Sequence, residues 1–265
     1  MTLTALLALG SGSLVGLVLG LVGGGGSILA VPLLVYLVGV APAHVAIGTS
    51  ALAVAGGALV NLIPHWRMKH IKWRCALVFS LSGVAGAFAG STVAKAIDGQ
   101  FLLALFAALM LGVGISMLLS RGQGGNPEVR LTRETARYLT PRLVLIGFGV
   151  GALSGFFGIG GGFLIVPGLM LATGMPLVYA IGTSLVAVFS FGAATAASYA
   201  ASGFVDWGIA LLFVGGGAAG GLAGALLGRV MSKSKSALRI TFAAIVILVG
   251  LYVLWRSLGD LGIIG

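Results

Sequence analysis

Residues 157–167 read FGIGGGFLIVP, and residues 22–32 read VGGGGSILAVP. Each stretch places a cluster of glycines before an apolar run that ends in proline. Four glycines and a proline within ten residues unwind a helix rather than merely narrow it. The two stretches therefore predict two broken helices, and the rest of the chain decides which kind of fold contains them.

The composition predicts a membrane protein. Of the 265 residues, 59% are hydrophobic and 8% are charged, and the mean hydropathy is +1.17, which is more apolar surface than a soluble fold can bury. Apolar runs of about 20 residues match the roughly 30 Å hydrocarbon core. They are continuous and lack the alternation of a barrel strand. We therefore predict an all-α polytopic membrane protein.

The second half of the chain repeats the first at an offset of about 134 residues. The matched positions are Gly23 with Gly158, Pro32 with Pro167, the AIGTS runs Ala46–Ser50 with Ala180–Ser184, and the glycine rows Gly83, Gly86 and Gly90 with Gly217, Gly220 and Gly224. This self-similarity predicts one transmembrane repeat over 1–120 and a second over 142–265, joined by a polar linker at 121–141. The predicted apolar segments are 3–22, 27–38, 43–64, 74–95, 100–119, 142–157, 161–173, 177–200, 208–229 and 237–255.

Basic side chains concentrate in loops that are not equivalent in the two halves. Residues 65–74 contain four Lys and Arg, whereas the matching loop near 201–207 has only Asp206. Residues 229–239 also contain four, whereas their counterpart has only Lys95 and Asp98. Under the positive-inside rule the two basic loops and the linker lie in the cytoplasm, so the repeats have inverted topologies. The net charge of +10 is thereby explained without a nucleic-acid partner.

Inverted repeats with paired Gly/Pro-broken helices are typical of secondary transporters, which bind substrate near the bilayer midplane. A helix that restarts after a glycine turn presents free N–H groups, which suit an anion. Hydroxyl donors stand nearby at Ser27, Thr49, Ser50, Thr183 and Ser184. The glycine rows predict close helix packing instead. Whether 142–157 and 161–173 form a re-entrant hairpin or a tilted pair remains open.

Other function classes are disfavoured by the placement of ionisable residues. All five Asp and Glu lie outside the apolar segments, so a carboxylate proton relay is not expected. The apolar segments contain no cluster of His, Cys, Asp or Glu, so we expect no enzyme activity, no metal site and no cofactor. An inside-negative membrane potential favours the exit of an anion, by about 2.3 kcal/mol per charge per 100 mV. A passive anion channel remains the alternative to a transporter.

The paired glycine breaks, each followed by an AIGTS run, resemble the TauE/SafE family of sulfite and organosulfonate exporters. The resemblance implies a multi-pass permease of a bacterial or archaeal inner membrane. Its implied partners are the lipid bilayer and a small anion such as sulfite or sulfoacetate, with another small oxyanion as the alternative substrate. A homo-oligomer is compatible with the resemblance. One difference between the breaks is that Gly24 aligns with Ile159. The substrate-facing candidates carried over from the resemblance are Gly25, Gly26, Ser27, Thr49, Ser50, Gly160, Gly161, Gly162, Thr183 and Ser184.

Overall fold

The computed structural model describes residues 2–22, 24–119, 131, 133–160, 162–230 and 235–260. This part of the chain is built from helices and loops and contains no strand, and eight of its helices are long and apolar enough to cross a bilayer. The predicted all-α polytopic membrane class is therefore confirmed. The long helices are α1 (Thr2–Val22), α3 (Ala43–Arg67), α4 (Trp73–Lys95), α5 (Gly99–Leu119), α6 (Arg133–Phe157), α8 (Leu177–Ala200), α9 (Trp207–Val230) and α10 (Lys235–Asp260).

Two shorter helices follow the glycine clusters. The first, here called α2, is irregular: it is a 3₁₀-helix over Gly24–Leu29, an α-helix over Ala30–Pro32 and a π-helix over Leu33–Val38. The change from α-helix to π-helix follows directly after Pro32, which has no N–H to donate. The second is α7 (Gly162–Thr173), which is a regular α-helix.

Both glycine clusters reverse the direction of the chain. Gly158 and Gly160 have φ angles of +66° and +64°, which is a left-handed conformation that glycine adopts without steric cost. Helix α7 then folds back along α6, so that a Cβ on Gly168 would lie 3.1 Å from the Val150 side chain. Similarly, a Cβ on Gly26 would lie 2.6 Å from the backbone of α1. Of the two arrangements left open by the sequence, the structure has the hairpin.

Helix α6 is longer than the sequence predicted. We expected an apolar segment over 142–157, too short for a full span, but α6 begins at Arg133 and continues through Pro141. At 1.5 Å per residue its 25 residues extend about 37 Å, so the expectation of a short segment was wrong. Pro141 deprives only the carbonyl of Arg137 of a donor, and Arg137 is exposed near the polar start of the helix. The helix therefore tolerates a proline that the sequence suggested as its boundary.

Glycines bring helices of opposite halves into backbone contact. Helix α1 packs against α9, and α4 packs against α6. A Cβ on Gly16 would overlap the backbone of Gly217, and a Cβ on Gly151 would overlap the backbone of Gly83. The prediction that the glycine rows are packing surfaces is confirmed. Because no side chains lie between them, the two backbones approach closely and gain many dispersion contacts. These contacts matter in a bilayer, since the hydrophobic effect does not drive helices together within lipid.

The remaining helices pair with their own sequence counterparts. Helix α3 packs against α8 and α5 against α10. Gly192 of α8 lies beside Ala51 and Ala55 in the middle of α3, while Gly48, closer to the start of α3, lies beside Tyr199 at the end of α8. The α3–α8 pair is therefore antiparallel. The α3–α8 pair is here called the central pair. Together with the α1–α9 and α4–α6 pairs, it joins the two halves of the chain.

Adding one methyl group at a helix crossing should destabilise the protein. In Gly151→Ala the new Cβ has no room against Gly83 and must push α4 and α6 apart, at a cost of about 1–3 kcal/mol. Gly149→Ala is the matched control on the same helix, because no atom lies within 4 Å of its Cβ position. We expect thermal melting of the purified protein to show a lower Tm for Gly151→Ala alone. Equal Tm values would contradict the close crossing.

Candidate functional site

The first glycine break borders a small internal cavity. Ser27, in the first turns of α2, is fully buried and is the one polar side chain among the residues that line this cavity. The other lining residues come from α1, α3 and α9 and are apolar or glycine: Gly12, Val15, Gly16, Leu19, Ala53, Val54, Gly57, Phe213 and Gly217. The cavity therefore lies where both halves of the chain meet.

The cavity is small in this conformation. The centre of a water-sized sphere can move through about 10 Å³ of it, which is the space that roughly one water molecule needs. The side chains of Val15, Leu19, Val54 and Phe213 line it, and each of them is buried. An oxyanion of several heavy atoms needs these walls to move apart before it can bind.

The second glycine break packs against α3. The Ser50 hydroxyl donates to the carbonyl oxygen of Gly158 at 2.9 Å and to that of Ile47 at 2.8 Å. A Cβ on Gly160 would lie 2.7 Å from Val54, whose side chain also lines the cavity. Val54 thus stands between the cavity and the second break. The structure brings Ser27, Ser50 and Gly160 into one region around α3.

The two threonines of the AIGTS runs bind loops of the opposite half. Thr49 Oγ1 accepts a hydrogen bond from the backbone N–H of Asp206 at 3.0 Å. Thr183 Oγ1 accepts from the backbone N–H of Lys72 at 3.1 Å. These contacts are equivalent in the two repeats, since both pairs are related by 134 positions. Thr49 of α3 therefore holds the loop that follows α8, and Thr183 of α8 holds the loop that follows α3.

The predicted site residues do not all come together. Thr49 and Thr183 are fully buried near the starts of α3 and α8, and because these helices are antiparallel the two side chains lie at opposite ends of the pair. The Ser184 hydroxyl bonds back to the carbonyl of Ile181 at 2.8 Å. Gly25 lies in the 3₁₀ turn of α2, Gly162 begins α7, and Gly161 lies outside the described residues. Gly26 packs against α1 rather than against open space.

The electrostatics of the cavity come from the backbone rather than from charged side chains. No Asp, Glu, Lys or Arg lines it in the described structure. Two of the acidic residues cap helices instead: Asp98 accepts from the backbone N–H groups of Gln100 and Phe101, and Asp206 accepts from that of Ile209. A polar group in the cavity would face Ser27, which lies in the first turns of α2, near the positive end of the helix dipole.

The apolar walls of the cavity were not among the site residues predicted from the sequence. Gly57 and Val54 were not among the candidates, because neither carries a group that binds an anion. A signal was present in the aligned repeats, in which Gly57 matches the much larger Phe191.

Removing the threonine hydroxyls should loosen the loops that they hold. In Thr49→Val and Thr183→Val a backbone N–H loses its acceptor, at a cost of about 1–3 kcal/mol for each if no water replaces it. Both variants should melt at a lower temperature than wild type, whereas Thr49→Ser and Thr183→Ser should not. Valine variants that melt like wild type but no longer bind an anion would assign the hydroxyls to the substrate instead.

Comparisons with known proteins agree on a transport function. The family described as Sulfite exporter TauE/SafE matches residues 8–253. A protein of Xylella fastidiosa (strain 9a5c), described as a probable membrane transporter protein, is 50% identical over 262 residues, which cover 98% of this chain and 99% of that protein. The probable membrane transporter protein YunE of Bacillus subtilis (strain 168) is 29% identical over 264 residues, which cover 93% of this chain and 96% of YunE. No solved structure matches the chain.

The family match and the fold lead to the same conclusion. The match extends from α1 to α10 and includes both glycine breaks. The eight long apolar helices provide the multi-pass architecture that a transporter requires. The chain is therefore a multi-pass membrane transporter that belongs to the TauE/SafE family.

Proposed function

We propose that this protein exports small sulfur-containing anions, such as sulfite, sulfoacetate or related organosulfonates, by alternating access. The observation that carries this proposal is the small cavity lined by Ser27 beside the first glycine break, at the contact between the two halves. The substrate class follows the family to which the chain belongs. The transported anion binds beside the Ser27 hydroxyl, at the start of α2.

The packing supports two inverted repeats. Counterpart helices related by an offset of about 134 run antiparallel, as α3 and α8 do. The pair α5 and α10 follows the same rule, since Gly114 lies beside Ala243 and Ile247 while Gly250 lies beside Met110. Repeats related in this way can exchange conformations, which produces an outward-open and an inward-open state around one site.

The small size of the cavity favours a transporter over a passive channel. A channel requires a continuous wetted path, whereas this cavity has room for roughly one water molecule and apolar side chains line it. Alternating access includes states in which the site is narrowed in this way. The mechanism predicts that the anion flux saturates with concentration, and that single-channel currents are absent in planar bilayers.

The chemistry around the cavity suits an anion. Backbone N–H groups at the start of a helix and a hydroxyl donor bind oxyanions, and the helix dipole favours negative charge there. The described spans contain no Asp or Glu that faces the cavity, so bound anion and protein do not repel each other. An inside-negative potential then drives net export, with about 2.3 kcal/mol per charge per 100 mV.

Transport assays in proteoliposomes test the proposal directly. Wild-type protein should export ³⁵S-labelled sulfite with a saturable rate that rises as the lumen is made negative. Ser27→Ala should raise the KM about tenfold or more, because a hydrogen bond to a charged group contributes about 1.5–3 kcal/mol. Ser190→Ala is the matched control, since the Ser190 hydroxyl bonds to the Val186 carbonyl of its own helix and does not line the cavity.

Three outcomes would contradict the proposal. A rate that stays linear with concentration and is accompanied by single-channel currents would favour the passive channel. Flux of chloride or phosphate but not of sulfur anions would overturn the substrate class. Equal KM values for Ser27→Ala and Ser190→Ala would remove the assignment of the site to this cavity.

A further inference from the structure

The two halves fill the same place with different side chains. The cavity touches Gly57 of α3 and Leu19 of α1. In the aligned repeats Gly57 matches Phe191 of α8, and Leu19 matches Ser154 of α6. The two repeats therefore differ in side-chain volume at positions that border the cavity or its equivalent.

Phe191 fills the equivalent place in the second half. Its ring is fully buried and stacks on Phe79, with ring centroids 5.9 Å apart and planes inclined by 19°. The ring lies so close to Gly83 that a Cβ there would overlap it. Gly83 is the counterpart of Gly217, which lines the cavity in the first half. The second half thus has a packed aromatic core where the first half has open space.

Gly57 leaves the corresponding space open. A Cβ on Gly57 would have one neighbour within 4 Å, the Leu19 side chain at 3.8 Å, which is an ordinary van der Waals distance. Phe213, the counterpart of Phe79, stays in place and forms one wall. The absence of a side chain at Gly57 therefore maintains the cavity.

We propose that the protein has one anion site, on the side of the first repeat, and that Gly57 sets the size of the anion that fits. The side chain of Phe191 fills the equivalent place in the second repeat, so no second site forms there. This inference rests on the proposed function and names the determinant of its specificity. Ser27 supplies the hydroxyl on the open side, where its counterpart is Gly162. The hydrogen-bond donor and the available space thus occur in the same repeat.

Chemical labelling tests the asymmetry without measuring transport. Ser27→Cys and Ser154→Cys each replace a hydroxyl oxygen by sulfur at a fully buried position. Ser27 lines the cavity, and Ser154 is the counterpart of Leu19 in the half that Phe191 fills. Both variants are made in a Cys75→Ala background, because Cys75 is the native cysteine. The probe is an anionic methanethiosulfonate reagent, applied to protein in vesicles.

Ser27→Cys should react at least tenfold faster than Ser154→Cys, and an excess of sulfoacetate should slow the reaction. Equal rates at the two positions, or no reaction at either, would overturn the asymmetry. Sulfoacetate is used for protection because sulfite itself cleaves the mixed disulfide that the reagent forms. Labelling does not require net flux, so this result stands even if the wild-type protein moves no sulfur anion.

Substitution of Gly57 tests its role in size selection. Gly57→Ala should reduce sulfoacetate flux at least tenfold more than sulfite flux, and Gly57→Leu should abolish both together with the labelling of Ser27→Cys. Gly215→Leu is the control, because it adds the same side chain on α9 where no atom lies within 4 Å. Melting curves confirm that each variant is folded.

Two failures can be told apart. If wild-type protein transports none of the sulfur anions, the proposed function fails. If wild-type protein transports them and Gly57→Leu does so at the same rate and with the same size preference, the proposed function stands and the role of Gly57 is wrong.

Discussion

Backbone contact between glycines of opposite halves holds the interior of this protein together. Where Gly16 meets Gly217 and Gly151 meets Gly83, no side chain separates the two helices. In a bilayer, apolar side chains gain little by leaving lipid, so close packing and interhelical hydrogen bonds must supply the stability. Because each contact joins one half to the other, neither repeat forms its packed core alone.

The same constraint explains how the hydroxyl groups are used. A polar atom buried among apolar helices must find a hydrogen-bond partner. Thr49 and Thr183 accept from loop backbone, and Ser50 donates to the turn at Gly158. These bonds connect α3 and α8 to the loops and breaks of the opposite repeat. In the proposed transport cycle, movement of the central helix pair would therefore be transmitted to both ends of the molecule.

Several features could be read from the sequence because they depend on composition and local pattern. The helical membrane class, the two broken helices and the packing role of the glycine rows need only hydropathy, glycine placement and the internal repeat. The start of α6 was missed because Pro141 resembles a helix boundary, whereas its effect depends on the exposure of Arg137. The loop contacts of the threonines could not be read from the sequence, because a hydroxyl that anchors a loop and one that binds a ligand look alike there.

By itself the sequence determined the fold class, the repeat and the family resemblance, because hydropathy and glycine spacing act through the lipid and the local backbone. The tertiary structure decided which residues share a site. It placed Ser27, Val54 and Gly57 around one cavity and put Thr49 and Thr183 at opposite ends of the central pair. It also showed that Phe191 fills the place that Gly57 leaves open. The physical reason is that an empty volume depends on side chains from four separate segments, and no local pattern records how these segments meet.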